Sequence, residues 1–505
     1  MPLRKIIRQK LRTFLLWALR WTETAQEDTI RTSQLPLLKR EIHIPTGLVA
    51  LLVWVTLFGV LFLDLGPGWV NTLALFLFTA ILMSLFLFYI KHDQPALLND
   101  DDGILLLGIL AVGSVLFMQG WNEISRTYVW ISPYGVPLAA TSILAALLLH
   151  PRLAIILGIV LALIMGVTND FSIEYVLVGF LGSVTGVARS LTVRTRRDLS
   201  RAGLWVALMQ SLMVCILALF QKWLPEEFIT AVLWSFGGGI LSSLIVLGLL
   251  PYLENFFSRL TNIRLLELVD INHPLLRRMS LEVPGTYHHS LVVASLAESA
   301  AESIGANGLL CRAGAYFHDI GKMIKPEYFV ENQGSLANPH DPLSPSMSRL
   351  VIQAHVKEGL ALAQQYGLDK SIQGFIQSHH GTSRIEYFYQ RALEQEGESA
   401  VKEQEYRYPG PKPYTKESAI LMLADAVEAS SRTQEDPNHQ RLRDLVYKIV
   451  NSKITDDQFS ESPLTLAELH DIAKSFINTL TGIYHSRIRY PDSVEEQELP
   501  PGPDA

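Results

Sequence analysis

Along the first half of the chain the apolar residues are continuous rather than periodic. Long, nearly uncharged runs occupy 46–64, 70–91, 103–119, 134–150, 152–168, 172–190, 201–221 and 229–251. About 20 such residues, with a range of roughly 17 to 25, cross a bilayer as a helix, so the pattern predicts eight spans. The fourth and fifth runs are short and only His150, Pro151 and Arg152 part them, which leaves a re-entrant hairpin as the alternative. Gly237-Gly238-Gly239 in the last run marks either a kink or a tight helix contact.

From about residue 260 the pattern changes to apolar residues at helical spacing, with few alternating β-branched stretches, which predicts an all-α domain. Leu291, Val292, Ala294, Leu296 and Ala297 open one helix and Gly305 closes it. Further helices are predicted at 308–318, 346–366, 370–379, 384–396, 416–433, 439–453 and 464–484. Two connections are long, and long loops in compact domains are often functional. The first, 325–347, is rich in Pro, Asn and Asp. The second, 397–415, contains Pro409, Gly410, Pro411 and Pro413 and reads equally as a mobile lid or an ordered connector. The fold class is therefore all-α: a polytopic helical membrane bundle followed by an all-helical domain. The expected segments are a basic N-terminal stretch (1–45), the bundle (46–251), a connector (252–280), the second domain (281–488) and a disordered acidic tail (489–505).

Charge sets the expected orientation, because Lys and Arg favour the cytoplasmic side of short loops. Arg4, Lys5, Arg8, Lys10, Arg12, Arg20, Arg31, Lys39 and Arg40 precede the first run; Lys91, Arg152 and Arg189, Arg194, Arg196, Arg197 and Arg201 follow in alternate loops. The opposite loops hold Arg126 and Lys222. Both termini and the second domain are thus expected in the cytoplasm. The first 20 residues are basic and amphipathic, without a signal-peptide pattern, and are expected on the inner membrane surface. Cys215 and Cys311 make no disulfide framework. The net charge of −7 reflects an acidic second half and tail, which argues against a nucleic acid polymer as partner.

The candidate chemistry lies in the second half. Of 14 histidines only His43, His92 and His150 precede residue 260. His289, His318-Asp319, His355, His379-His380 and Asp425 offer imidazole nitrogens and carboxylates, the ligands that divalent iron, manganese or zinc accept. Neighbouring helical residues diverge by about 100°, so Asp319, beside His318, is the candidate bridge between two ions. A two-metal site activates water for attack on phosphorus and neutralises phosphoryl charge; Lys322 is a candidate cation for a phosphoryl oxygen. Singly, each His is more simply a helix cap or a surface residue, and it is the set that argues for metal. His288 reads as a supporting residue, and His439, His470 and His485 as surface. His273 is ambiguous. His340, Thr382 and Tyr387 are candidate substrate contacts, the last because Tyr387, Phe388 and Tyr389 offer a ring to stack on a purine, although at least one belongs to a core. The arginines from Arg189 to Arg201 read first as a topology signal and second as a contact for anionic lipid.

The stretches Pro284-Gly285-Thr286-Tyr287-His288-His289-Ser290, Gly314-Ala315-Tyr316-Phe317-His318-Asp319-Ile320-Gly321-Lys322, Asn338-Pro339-His340-Asp341, His355-Val356-Lys357-Glu358-Gly359, His379-His380-Gly381-Thr382 and Ala424-Asp425-Ala426-Val427-Glu428-Ala429 resemble the bacterial seven-transmembrane HD-domain hydrolases. Members of that family include membrane-bound cyclic di-AMP phosphodiesterases. The resemblance covers roughly 46–485. It implies an enzyme of the bacterial plasma membrane that opens cyclic di-AMP to linear pApA with two iron or manganese ions. By motif, His289, His318, Asp319 and Asp425 hold one ion, with Asp319 bridging, and His355, His379 and His380 hold the other. Membrane lipid and a second copy of the chain are the remaining candidate partners.

One departure stands out. Relatives carry a large extracytoplasmic domain between the first two spans, where this chain has Leu65, Gly66, Pro67, Gly68 and Trp69. Any signal is then expected through the bundle, lipid or a partner, with 253–279 as the transmitting stretch. The rival enzyme reading is the HD-GYP type of cyclic di-GMP phosphodiesterase, which carries Glu after the His pair, whereas Gly381-Thr382-Ser383 stands here. A nucleotide phosphohydrolase is a further rival. From another class, the bundle is a transporter or receptor and the domain a passive nucleotide sensor; a transporter calls for broken or polar mid-membrane helices, which Asn169-Asp170, at a loop, does not supply.

Overall fold

The computed structural model describes residues 46–65, 68–333, 338–434 and 438–484; the basic N-terminal stretch, His485 and the acidic tail lie outside them. Among the described residues there are α-helices and short 3-10 turns, and one isolated antiparallel bridge between Arg384 and Arg407. The apolar half forms α1 (Thr46–Leu65), α2 (Trp69–Asp93), α3 (Asp101–Thr127), α4 (Leu138–Leu148), α5 (Pro151–Thr168), α6 (Ile173–Ser190), α7 (Arg196–Gln221) and α8 (Pro225–Phe257).

All eight apolar runs are helical. Five helices, α2, α3, α5, α7 and α8, are long and apolar enough to cross a membrane. Helix α1 runs for 20 residues, with Gly47–Phe62 as its apolar stretch among the described residues, and α6 is diluted by Glu174, Arg189 and its glycines and serines. At 11 residues, α4 is about 16 Å long. It is interrupted at its start because Pro137 supplies no amide donor. A 3-10 turn at Pro133–Gly135 precedes it. Residues 133–148 together cover nearly the roughly 30 Å of a hydrocarbon core, and nine residues of α4 are buried among the other helices. The two ends of this stretch lie at opposite ends of the bundle. The Tyr134 hydroxyl donates to Glu174 at 3.2 Å, while His150 pairs with Gln94 at 3.5 Å.

Small residues set the tightest packing. A Cβ on Gly239 would stand 2.3 Å from the Ala207 backbone, and one on Gly203 2.3 Å from Ser243. The triple glycine is thus a close contact between α7 and α8, and α8 runs unbroken past it. With 33 residues, α8 is about 50 Å long, so it overruns a bilayer core and carries Glu254 and Phe257 to the second domain.

That domain comprises α9 (Asn262–Leu268), α10 (Pro274–Glu282), α11 (Pro284–Ser303), α12 (Gly308–Phe317), α13 (Pro345–Gln365), α14 (Lys370–Ser378), α15 (Glu386–Glu396), α16 (Lys416–Ser431), α17 (His439–Thr455) and α18 (Leu466–Tyr484). Helix α11 begins at Pro284, seven residues before the expected Leu291, since a proline in the first turn forgoes only an amide that has no helical partner. The expected connector is partly core. Leu265, Leu268, Leu275, Leu276 and Met279 are buried in one apolar cluster with Val293, Leu296, Phe317, Ile420, Leu423 and Phe476. Its outer face carries ions to the bundle: Arg196 pairs with Glu267 at 2.9 Å and Arg259 with Asp100 at 2.5 Å.

Candidate metal centre

Five elements deliver the candidate ligands. His289 lies on α11, His318 ends α12 with Asp319 following, His355 lies on α13, His379 ends α14 with His380 following, and Asp425 lies on α16. Two glycines let these elements close. A Cβ on Gly321 would stand 1.9 Å from the His355 carbonyl oxygen, so the turn after Asp319 packs directly on α13. A Cβ on Gly285 would stand 1.8 Å from the Glu331 carbonyl, which brings α11 against the 3-10 turns.

Local hydrogen bonds aim the imidazoles. The Nδ1 atoms of His318, His355 and His379 lie 2.7, 2.6 and 2.9 Å from the carbonyls of Ala315, Ile352 and Ile376. A carbonyl only accepts, so each Nδ1 carries hydrogen and each Nε2 presents a lone pair when the ring is neutral. His289 is aimed by a carboxylate instead, with Nδ1 2.5 Å from Glu428 Oε2.

The lone pairs converge in two groups. His289, His318 and Asp425 offer one set of ligand atoms, and Asp319, His355, His379 and His380 another, each set within 4.8 Å. Asp319 faces both. Its Oδ2 lies 3.2 Å from His318 Nε2 and 3.7 Å from His289 Nε2, while its Oδ1 lies 3.5 and 3.6 Å from the Nε2 atoms of His355 and His379. Those last two nitrogens are 3.3 Å apart. Two facing lone pairs at that distance repel unless a cation or proton sits between them. Among the described residues, His318 Nε2 and Asp319 Oδ1 are buried without a hydrogen-bond partner, a costly state for polar atoms that divalent ions relieve. The donor set therefore fits metal.

The electrostatics are those of a buried mixed-charge cluster. Burial works to raise the Asp319 carboxyl, but His318 and Lys322 hold it well below the usual range. Burial lowers His318, yet Asp319 and Asp425 push it up to about 10, whereas burial dominates at His355 and takes it down to about 4. Lys322 Nζ is held between Asp319 Oδ2 and Glu331 Oε1, both at 2.7 Å. Those two carboxylates raise its pKa against burial and commit much of its charge.

A cavity of about 400 Å³ opens on this cluster, lined among others by His289, Lys322, Phe329, Glu331, Ile352, His355, His380, Tyr408, Asp425, Glu428 and Arg432. The structure does not bring His340, Thr382 or Tyr387 to it. His340 is buried against Phe388 and Tyr328, with Nε2 3.0 Å from the Tyr328 carbonyl. Thr382 is tied to Gln458, and the Tyr387 ring is 65% exposed. His288 is exposed, His273 packs edge-on to Phe317, and His439 and His470 meet Thr481 and Tyr447 at the surface.

The 397–415 stretch is an ordered connector. Its Arg407 binds Asp456 at 2.7 Å and Glu403 at 2.6 Å, and its Tyr408 stacks on His380 with centroids 4.2 Å apart. Sequence reasoning missed Tyr408, Glu331, Glu428 and Arg432. Glu428 was within reach, because it follows Asp425 by three residues and so shares its helical face. Tyr408 carries no such signal.

Five converging His/Asp stations on an all-helical domain behind a bundle of apolar helices define a membrane-embedded protein with an HD-type metal domain. Two family models match in tandem: "7TM receptor with intracellular HD hydrolase" over 69–261, and "HD domain" over 286–430. The cyclic-di-AMP phosphodiesterase PgpH of Bacillus subtilis is 38% identical over 430 residues, covering 84% of this chain and 60% of its own. Its namesake from Listeria monocytogenes is 35% identical over 425 residues, covering 82% and 58%. A crystal structure of the L. monocytogenes PgpH HD domain in complex with cyclic-di-AMP is 45% identical and covers 43% of this chain and 100% of that one, with a TM-score of 0.41. The chain is thus similar, in two consecutive stretches, to seven-transmembrane proteins with an intracellular HD hydrolase domain. It spans about 60% of the length of the curated relatives it matches. Metal dependence on divalent ions follows from the HD domain and its His/Asp cluster.

Proposed function

We propose that this protein is a membrane-anchored phosphodiesterase that hydrolyses cyclic di-AMP to linear pApA. The observation that carries the reading is Asp319, whose two oxygens face two separate groups of imidazoles. In this reading His289, His318, Asp319 and Asp425 hold one ion, and His355, His379 and His380 the other, with iron or manganese as the metal. When bound, the ions supply an activated water and neutralise phosphoryl charge.

The chain's own residues do the rest. Asp319 stays ionised because Lys322 and His318 hold it so. Lys322 positions that carboxylate from the cavity wall. Glu428 fixes the His289 tautomer, and Tyr408 holds the His380 ring by stacking. Phe329 and Ile352 give the cavity an apolar wall that limits water and suits a purine face. Hydrolysis consumes one water: its oxygen bonds to phosphorus, the P–O3′ bond breaks, and O3′ leaves with a proton.

The domain sits on the cytoplasmic side in this reading. The positively charged end of the bundle, where Arg152 lies 3.7 Å from Asp93 and Arg196 pairs with Glu267, is the end that carries it, as the preference of basic residues for the cytoplasm requires. Lipid around the bundle and a second copy of the chain are its further partners. The test is turnover of cyclic di-AMP and cyclic di-GMP, side by side, by the full-length protein with manganese or iron, against Asp319→Ala. Cleavage of cyclic di-AMP alone, lost in the variant, is the expected result; preference for cyclic di-GMP overturns the substrate.

A further inference from the structure

Besides the candidate ligands, the cavity is lined by Glu428 and Ala429 from the last turn of α16 and by Arg432 and Thr433 just after it. Asp425 and Arg432 are seven residues apart, so they share a helical face about 10 Å apart along the axis. Long side chains on a helix lean toward its N-terminus, which directs the Arg432 guanidinium back along the cavity toward the cluster.

Two cations line this space, and they differ in what they have left to offer. The Lys322 ammonium is enclosed by two carboxylates at 2.7 Å. Arg432 spends its Nε on Glu428 Oε1 at 2.6 Å, and its two Nη atoms meet no partner among the described residues. A third of its side chain is exposed. A guanidinium whose Nη edge is open binds phosphate through paired, charge-assisted hydrogen bonds. The phosphate at the metal cluster has ions to neutralise it, so an open guanidinium in the same cavity is available to a second phosphate of the same ligand.

We propose that Arg432 binds the second, uncut phosphate of a dinucleotide substrate, and that this contact selects dinucleotides over ligands with a single phosphodiester. The inference rests on the phosphodiesterase reading above. It also explains the position of Glu428. That carboxylate holds Arg432 with Oε1 and His289 with Oε2, so one buried group fixes both the distant phosphate's clamp and a candidate metal ligand.

The test compares two substrates on the full-length protein, cyclic di-AMP with its two phosphates and bis(p-nitrophenyl) phosphate with one, for the wild type, Arg432→Gln and Arg432→Lys. Loss of a charge-assisted contact predicts a KM for cyclic di-AMP about 10- to 100-fold higher in Arg432→Gln, with a smaller change in kcat. The ratio of kcat/KM for the two substrates shifts by the same factor, and Arg432→Lys recovers part of it. Calorimetric affinity for a phosphorothioate analogue of cyclic di-AMP that resists cleavage weakens in parallel. Equal losses on both substrates overturn the inference, because Arg432 then acts only through Glu428 and His289. An unchanged KM and affinity also overturn it. Cleavage of bis(p-nitrophenyl) phosphate by the wild type with neither turnover nor binding of a cyclic dinucleotide overturns both readings. Turnover of cyclic di-GMP instead refutes only the base assignment, and the same comparison then decides Arg432 on that substrate.

Discussion

Replacing Gly321 by Ala adds one methyl group at the tightest backbone contact of the candidate site. The new Cβ would stand 1.9 Å from the His355 carbonyl oxygen and 2.5 Å from the Gly359 nitrogen, against an ordinary contact of 3.4 Å or more. Those two backbone atoms are partners in the same turn of α13, so no flexible side chain absorbs the shortfall. The turn carrying Asp319 and Lys322 and the helix carrying His355 must part by about 1.5 Å. Overpacking of this kind costs typically about 1–3 kcal/mol. The functional cost is larger, since a displacement of about 1 Å at a reacting centre lowers rate on the order of 100-fold. The Asp319 Oδ1 to His355 Nε2 distance, now 3.5 Å, lies directly across that gap. The assays are thermal unfolding, metal content and cyclic di-AMP turnover of the full-length protein. Gly482→Ala serves as control, because a Cβ there meets nothing within 4 Å. A Gly321→Ala protein with wild-type metal content and turnover would refute the claim that this glycine sets the spacing between the ligand groups.

Three further outcomes are expected. Glu428→Gln keeps the shape, but its amide cannot present acceptors to both His289 and Arg432; loss of a carboxylate behind a ligating imidazole predicts manganese affinity about 10- to 100-fold weaker, read by calorimetric titration. Ligating imidazoles must be neutral and His318 is pushed up to about 10 in the metal-free protein, so metal binding should release protons and tighten as pH rises from 6 to 9 (a range of about three pH units); affinity independent of pH would sink this. Burial, then Arg264, holds His273 below its ordinary pKa of 6.5. The unfolded chain therefore binds the proton more readily, and this contribution to stability is complete above pH 6.5 and lost as pH falls through the folded value. His273→Gln should flatten that part of a stability profile measured by chemical denaturation.

The architecture was legible because its causes are local. Nearly uncharged runs of 17 to 23 residues read as membrane helices since backbone polar groups have no partner in lipid except within a helix, and helical spacing after residue 260 read as a packed all-α domain. The His and Asp positions were legible for a related reason. Few other arrangements call for so many imidazoles near helix ends, and the motif order brought the family with it. The limits of single helices were less visible: Val136-Pro137 shortens α4, and the early start of α11 depends on a proline in its first turn.

Sequence alone thus determined the class of each half, the candidate ligands and their helices, because composition and periodicity act within a few turns of chain. Only the tertiary structure decided which oxygen of Asp319 faces which imidazoles, that Lys322 is enclosed by Asp319 and Glu331, and that Tyr408 and Arg432 reach the cavity while His340, Thr382 and Tyr387 do not. Those facts depend on contacts between residues far apart in the chain. Contacts of that kind are set by close backbone approaches, Gly321 on α13 and Gly285 on the Glu331 turn, whose partners no local pattern names.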